Sequence, residues 1–181
     1  SDWVQVGTNI DGEAAGDLSG ISVAMSADGS RIAAGASQND GVNGADSGHV
    51  RIFDFDGSDW VQVGTNIDGE AAGDRFGFSV AMSSDGSRVA VGASQNDGVN
   101  GADSGHVRIF DFDGSDWVQV GADIDGEAAG DRFGFSVAMS ADGSRVAVAA
   151  RNNDGNGNAS GHVRIFDFDG SDWVQVGTNI D

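Results

Sequence analysis

Hydrophobic and polar positions alternate along most of this 181-residue chain. In residues 107–112, for example, Val107 and Ile109 fall on one side of an extended chain. Phe110 and Phe112 fall on the other side. Such a two-residue period with β-branched and aromatic side chains predicts β-strands, and no segment shows the 3.6-residue spacing of an amphipathic helix. The pattern therefore predicts an all-β protein.

The strands recur because the chain is built from repeats. The heptapeptide SDWVQVG occurs four times, beginning at Ser1, Ser58, Ser115 and Ser171. The spacings of 57, 57 and 56 residues are typical of architectures built from one repeated supersecondary unit. Each complete unit contains four predicted strands, two tight turns of Asp, Gly and Ser, and one longer loop of Asn, Asp and Gly. The chain therefore comprises three units and the opening segment of a fourth.

Four antiparallel strands in 57 residues are typical of one β-propeller blade. The linker between two units is long enough to cross the width of a blade. We therefore predict three four-stranded antiparallel blades over residues 12–68, 69–125 and 126–181, preceded by a surplus outer strand over residues 1–11. Propellers usually contain about four to eight blades, so three blades are not expected to close a ring.

The composition excludes several classes of function. The chain has no Cys, and its 29 acidic residues against nine basic ones give a net charge of −20. Without Cys, disulfides, thiol catalysis and cysteine zinc sites are impossible. The negative charge argues against nucleic acid as a partner, because phosphate binding needs clustered Lys and Arg. No apolar run reaches the roughly 18–20 residues of a membrane-spanning helix, so we expect no membrane insertion.

Three stretches of each unit match a known repeat. In the second unit they are GDRFGFSVA from Gly73, VAVGA from Val89 and GHVRIF from Gly105. In this order and spacing the unit resembles the FG-GAP repeat, which forms the blades of integrin-α-type propellers and of many bacterial surface proteins. The resemblance implies a β-propeller that is extracellular or at the cell surface and serves adhesion or recognition. The first unit departs from the pattern, because Ser19 stands where the second unit has Phe76.

Three kinds of side chain are expected to hold the blades together. The Phe of each Phe-Gly pair is expected to wedge between neighbouring blades, where the Gly permits a close backbone approach. Trp117 and its equivalents lie on the outer strand and are expected to cover the blade face. Arg108, on the same face as Phe110, is expected to pair with an acid or to lie over an aromatic ring.

Calcium is the cofactor that the acidic pattern suggests, because it prefers about six to eight oxygen ligands. Each linker contains the pattern DxExxxD, and its carboxylates are the candidate ligands: Asp11, Glu13, Asp17, Asp68, Glu70, Asp74, Asp125, Glu127 and Asp131. The loop 96–103 and the hairpin 111–116 are weaker candidates. The calcium loop of integrin-type blades, DxDxDG, is missing, because the corresponding turn is only Ser83–Ser87. Asp, Asn and Gly are also ordinary turn formers, so turn chemistry is the alternative interpretation.

The histidines do not indicate catalysis. His49, His106 and His162 each follow Ser-Gly at the same position in their unit. A catalytic triad is one asymmetric constellation, so three copies indicate a structural role at the entrance of a strand. No P-loop or nucleophile-elbow motif is present. We therefore expect no catalytic residues and no enzyme.

The sequence leaves two functional interpretations open. The first is a structural or adhesive module that self-associates through exposed edge strands, closing a ring or extending into a fibre, or that continues in a longer propeller array. Other surface proteins or glycans, bound with or without calcium, are alternative partners. The second interpretation is an engineered or consensus scaffold without a natural ligand, which the near identity of the first two units would suit.

Overall fold

The computed structural model describes residues 2–181, and these residues form strands and turns without a helix. Three antiparallel sheets follow one another along the chain, and we call them blades 1, 2 and 3. Blade 1 contains β1 (Ser19–Met25), β2 (Arg31–Ala36), β3 (His49–Phe55), β4 (Trp60–Gln62) and β5 (Ile67–Asp68). Blade 2 contains β6 (Ser79–Met82), β7 (Arg88–Ala93), β8 (His106–Phe112), β9 (Trp117–Gln119) and β10 (Ile124–Asp125). Blade 3 contains β11 (Phe133–Met139), β12 (Arg145–Ala150), β13 (His162–Phe168) and β14 (Trp173–Gln175). The predicted all-β blade architecture is confirmed.

The register of each sheet separates its two faces. In blade 2, Val89 of β7 lies opposite Phe110 of β8, and Ala90 lies opposite Ile109. Successive side chains of a strand point to opposite faces. The first pair accordingly packs against blade 1 and the second pair against blade 3. This is the division of faces predicted for residues 107–112.

The core consists of two apolar clusters, each lying between neighbouring blades. The cluster between blades 1 and 2 contains Ala33, Val50, Ile52, Ile67, Phe76, Val89, Val91, Ala93, Phe110 and Trp117. The cluster between blades 2 and 3 contains Ala90, Val107, Ile109, Ile124, Phe133, Val146, Val148, Ala150, Phe166 and Trp173. Both include an outer-strand tryptophan, as predicted. Each blade therefore depends on its neighbour to bury its apolar face, as stacked repeats do.

The phenylalanine of the Phe-Gly pair forms the predicted wedge. Phe76 and Phe133 are fully buried in the two clusters. Each ring packs edge-on against a second aromatic ring, Phe110 or Phe166, with 6.2 Å between ring centres. Edge-to-face packing adds to the stabilisation that comes from burying the rings.

Two glycines at each interface let the backbones of neighbouring blades touch. Gly105 has a φ of +75°, and a Cβ there would lie 2.1 Å from the Phe133 carbonyl oxygen. A Cβ on Gly92, within β7, would lie 2.1 Å from the Gly134 carbonyl oxygen. Blade 3 carries Ala149 at the position of Gly92. Its outward side therefore lacks the recess that blade 2 offers to its neighbour.

Two short strands, β5 and β10, were not predicted from the sequence. In β5, Ile67 lies opposite Val50, and Asp68 lies opposite His49. β5 thus pairs with the first residues of β3, and β4 pairs with the last residues of β3 along the same edge. A ladder of two residues is too short to give a recognisable hydrophobic period.

The opening segment differs from the surplus strand predicted over residues 1–11. Ser1 lies outside the described residues, and residues 2–18 contain no strand. A strand needs a neighbouring strand to complete its hydrogen bonds, and none of the described residues supplies one here. The segment nevertheless contacts blade 1, because the Val6 carbonyl accepts a hydrogen bond from Trp60 Nε1 at 3.1 Å. The same contact recurs between later blades, so the segment lies where a preceding blade would end.

In blades 1 and 2, an arginine at the start of the second strand connects the blade to the next one. Arg88 forms a bidentate ion pair with Asp111 at 2.6 and 2.7 Å and donates to the Gly143 carbonyl of blade 3. Its guanidinium carbon lies 4.7 Å from the centre of the Phe168 ring. Arg145 makes the same kind of ion pair within blade 3, but its side chain is 55 % exposed against 15 % for Arg88.

Replacing Arg88 by alanine is therefore expected to destabilise the chain more than replacing Arg145. Arg88→Ala removes charge-assisted bonds in a partly buried site and is expected to cost about 2–3 kcal/mol. Arg145→Ala removes an exposed ion pair and is expected to cost less than about 1 kcal/mol. Urea unfolding of both variants measures the difference, and equal losses would contradict the inter-blade role of Arg88.

Candidate functional site

The nine carboxylates proposed as calcium ligands fall into three environments, one for each position of the linker pattern. The third member of each triplet is buried, and these residues are Asp17, Asp74 and Asp131. The Asp74 carboxylate accepts hydrogen bonds from Ala71 N and Asn96 Nδ2, both at 3.0 Å. It caps the linker turn and fastens it to the neighbouring loop, as the turn interpretation predicts.

The first member of the second and third triplets ends a linker strand, β5 or β10, whereas Asp11 lies in the opening segment, which forms no strand. Asp68 ends β5, and its carbonyl oxygen accepts a hydrogen bond from Arg108 Nη2 at 2.6 Å. Burial raises the pKa of the Asp68 carboxyl, an effect that nearby His49 opposes. The carbonyl groups of Asp11 and Asp125 accept the equivalent arginine bond. The contact at this position is thus made by the backbone.

The middle member of each triplet extends towards a buried histidine and arginine. Glu70 Oε2 lies 3.9 Å from His106 Nδ1, and Glu70 Oε1 lies 3.6 Å from Arg108 Nη1. Glu13 and Glu127 make the same approach in blades 1 and 3. The three members of a triplet therefore have different partners, and a calcium site formed by the triplet stays a prediction.

Among the described residues, one group of three metal-ligating side chains is compact enough to hold an ion: Glu70, His106 and Asp123. One ligand atom of each residue lies within 4.8 Å of the other two. Asp123 Oδ2 lies 3.7 Å from His106 Nδ1, and the histidine side chain is only 2 % exposed. The group joins the linker before blade 2, the first residue of β8 and the linker after β9.

Burial determines the protonation of this cluster. It lowers the pKa of His106 to about 4, an effect that nearby Asp123 opposes, so the imidazole is neutral at neutral pH. Burial also raises the pKa of Glu70, and Arg108 opposes that shift. Arg108 is held in place because its guanidinium carbon lies 4.4 Å from the centre of the Phe76 ring. The cluster thus combines two carboxylates and one neutral imidazole, and a fixed guanidinium lies beside it.

Asp123 is the member of the cluster that sequence reasoning missed. Blades 1 and 3 have Asn66 and Asn179 at this position, in the string TNID, whereas blade 2 has the string ADID. This change of an amide to a carboxylate within a repeated segment was the available signal. Its meaning depends on His106, which the fold brings beside it.

The acids of the first hairpin turn act as caps. Asp85 Oδ1 accepts hydrogen bonds from Ser83 Oγ, Ser87 N and Ser87 Oγ at 2.7 to 3.0 Å. Equivalent bonds from flanking serines lower the pKa of Asp28 and Asp142 to about 2. These carboxyl groups close their own turns by accepting hydrogen bonds from neighbouring residues.

Comparison with known proteins identifies the fold. No curated protein sequence matches the chain. A solved structure of a putative 6-phosphogluconolactonase from Bacteroides uniformis superposes with a TM-score of 0.58 at 17 % identity, over 88 % of this chain and 40 % of that one. Hydrazine synthase of Kuenenia stuttgartiensis superposes with a TM-score of 0.51 at 16 % identity, over 93 % of this chain and 38 % of that one. The chain spans about two fifths of these structures, and the likeness shows the fold alone.

Residues 2–181 contain no helix that is both long and apolar enough to cross a bilayer. The sequence matches the FG-GAP repeat over residues 65–110 and 117–166, which together make up a little over half of the chain. The matched ranges contain both buried wedges, Phe76 and Phe133. The resemblance found in the sequence is thereby confirmed, and the chain belongs to the FG-GAP repeat family.

Proposed function

We propose that this chain is a non-enzymatic structural or adhesive module, outside the cell or at its surface, which associates head to tail with copies of itself. One observation carries the proposal: the two outward sides of the array repeat the surfaces that form its internal interfaces. We call the outward side of blade 1 the near face and the outward side of blade 3 the far face.

The near face is an exposed apolar strip formed by Ile21, Val23 and Met25 of β1. Val23 is 65 % exposed. In blade 2 the equivalent positions include Val80 and Met82, which pack into the cluster between blades 1 and 2. Apolar side chains grouped on one exposed surface are typical of an interaction site.

The far face is formed by Ala147, Val163 and Ile165 of β12 and β13. Their equivalents in blade 2 include Val107 and Ile109, which are fully buried against blade 3. On the far face the same kinds of side chain are only half-buried. A cavity of about 260 Å³, lined in part by Ala147 and Ile165, opens on this side.

Docking the near face of one copy on the far face of another would repeat an internal interface. Because the two surfaces differ, the contact is heterologous, and its rotation decides between a closed ring and an open fibre. Two copies would supply six blades, which lies within the usual range of about four to eight.

Two residues make the contact between copies weaker than the contact between blades. Ser19 stands at the wedge position that Phe76 fills in blade 2. Ala149 stands at the position of Gly92, where a Cβ would approach the carbonyl oxygen of the next blade. We therefore expect reversible association rather than a permanent assembly.

The end segments of two copies would also compete for one position. Residues 1–11 and 171–181 share the sequence SDWVQVGTNID. In a head-to-tail pair, the copy that docks through its far face already has its own β14 on the outer edge of its β13. Residues 2–11 of the other copy would lie at that same edge. Because residues 2–11 form no ladder, we expect this segment to be displaced.

The non-enzymatic part of the proposal is supported by the position of the ionisable groups. The cluster of Glu70, His106 and Asp123 surrounds a histidine whose side chain is 2 % exposed. The cavity of the far face is lined by residues of blade 3, among them Arg145 and Ile165. The cavity and the cluster therefore lie on different blades.

Sedimentation velocity over a range of concentrations tests the proposal. The wild type is expected to form dimers or larger species as its concentration rises. Val23→Asp places an unpaired charge on the near face and is expected to keep the chain monomeric, since an unpaired charge is costly to bury. Val99→Asp is the matched control, because Val99 is exposed in a loop away from both faces. A monomeric wild type, or equal association of the two variants, would contradict the proposal.

A further inference from the structure

We propose that Glu70, His106 and Asp123 bind a divalent transition-metal ion, with Zn²⁺ as the natural candidate, between the two linkers that flank blade 2. The inference goes beyond the proposed function and is independent of self-association. It rests on a comparison within the chain, because the same position is built three times with one difference.

In blades 1 and 3, an asparagine amide connects the histidine to the glutamate. Asn179 Nδ2 lies 3.4 Å from His162 Nδ1 and 3.2 Å from Glu127 Oε2. Asn66 makes the same two contacts in blade 1. The amide group has two hydrogens and donates one to each partner. An amide hydrogen directed at the ring makes Nδ1 the acceptor of this contact.

In blade 2 a carboxylate oxygen takes the place of this amide. Gln119 Nε2 donates to Asp123 Oδ1 at 2.7 Å, just as the equivalent glutamines donate to the asparagine oxygens. The aspartate is therefore held in the same orientation as the asparagines. Its Oδ2 replaces the donor and faces His106 Nδ1 at 3.7 Å, with Glu70 on the other side. In blade 2, two carboxylate oxygens and the His106 Nδ1 atom therefore meet where blades 1 and 3 have an amide donor between an imidazole and a carboxylate.

The same substitution changes the local charge. In blades 1 and 3, one glutamate lies beside one arginine. In blade 2, Asp123 adds a second carboxylate, while Arg108 is the guanidinium near Glu70. Like charges that share a partly buried site repel each other. A dication would balance the second carboxylate and coordinate His106 Nδ1.

The types of ligand select the metal. An imidazole nitrogen suits Zn²⁺ and its neighbours in the first transition row, whereas Ca²⁺ prefers oxygen ligands throughout. Zn–N and Zn–O bonds of about 2.0–2.2 Å place the ligand atoms of a tetrahedral site roughly 3.4 Å apart. His106 lies 3.7 Å from Asp123 and 3.9 Å from Glu70. Glu70, whose side chain is 46 % exposed, can close the remaining gap by rotating, and water can complete the coordination.

Titration of the chelator-treated chain with Zn²⁺, followed by calorimetry, tests the inference, and Co²⁺ absorption serves as the spectroscopic probe. The wild type is expected to bind one ion per chain at this site. Asp123→Asn restores the amide of blades 1 and 3 and is expected to lose that ion while the chain stays folded. Asn66→Asp builds the same ligand set in blade 1 and is expected to raise the stoichiometry to two.

Three results would overturn the inference. The first is equal binding by the wild type and Asp123→Asn, because adventitious binding to an acidic surface does not depend on Asp123. The second is a wild type that binds no ion more tightly than roughly 1 mM, which would mean that a proton bridges the acceptors instead. The third is displacement of Zn²⁺ by an equal concentration of Ca²⁺, which would indicate an oxygen-only site. If Zn²⁺ stays bound in the presence of an equal concentration of Ca²⁺, the result supports the inference.

Discussion

Replacing Phe133 by alanine is expected to lower the free energy of unfolding by about 3–5 kcal/mol. The ring is fully buried between blades 2 and 3, packs edge-on against Phe166 and lies under the guanidinium of Arg164. Its own backbone N–H donates to the Ser104 carbonyl of blade 2 at 3.0 Å. Because this bond fixes the separation of the blades beside the ring, the cavity left by the substitution cannot collapse easily.

Phe135→Ala is the matched control for this effect. Phe135 lies two residues further along β11 and is only half-buried. Its loss is expected to cost less than about 2 kcal/mol, because less apolar surface is removed from contact. Urea unfolding followed by tryptophan fluorescence measures both values. Equal losses in the two variants would show that the wedge has no special role between the blades.

Gly92→Ala is expected to cost at least about 3 kcal/mol, at or above the upper end of ordinary overpacking. The new Cβ would lie 2.1 Å from the Gly134 carbonyl oxygen and 2.5 Å from Ser79 Oγ. These two atoms are hydrogen-bonded to each other at 2.8 Å across the interface. Since the nearest atom belongs to the backbone, relief requires the two blades to move apart rather than a side chain to rotate.

The chain contains the control for this second prediction. Ala149 occupies the equivalent position in blade 3. Ala149→Gly is expected to change the stability of the isolated chain by less than about 1 kcal/mol, the usual cost of a glycine in a strand. Thermal unfolding of the two variants compares the positions. A small effect at Gly92 would contradict the close approach of blades 2 and 3.

The features that depend on one strand could be predicted from the sequence. The segment 88–93 reads as a strand from its alternation, and β7 has the same bounds. The two faces of β8 follow from the two-residue period. The wedge at Phe76 follows from one large residue beside one glycine, and the position of Arg108 over the Phe76 ring follows from its place among aromatic side chains.

The features that depend on several segments could not be predicted. Asp68, Glu70 and Asp74 are close in sequence, yet the turn directs them to separate partners. His106 and Asp123 meet because β10 returns along the edge of β8, which no local pattern encodes. The opening segment has the composition of a strand, but it forms no ladder without a neighbouring strand.

The most direct test of head-to-tail association uses the double variant Ser19→Phe/Ala149→Gly. Sedimentation equilibrium measures its association constant beside that of the wild type. The double variant restores on both outer faces the residues of the internal interfaces. Filling the wedge position buries one aromatic side chain, worth roughly 1.5–3 kcal/mol, so association is expected to tighten by at least about tenfold. If both proteins sediment as monomers at every concentration, the outer faces do not bind copies of the chain, and the account is wrong.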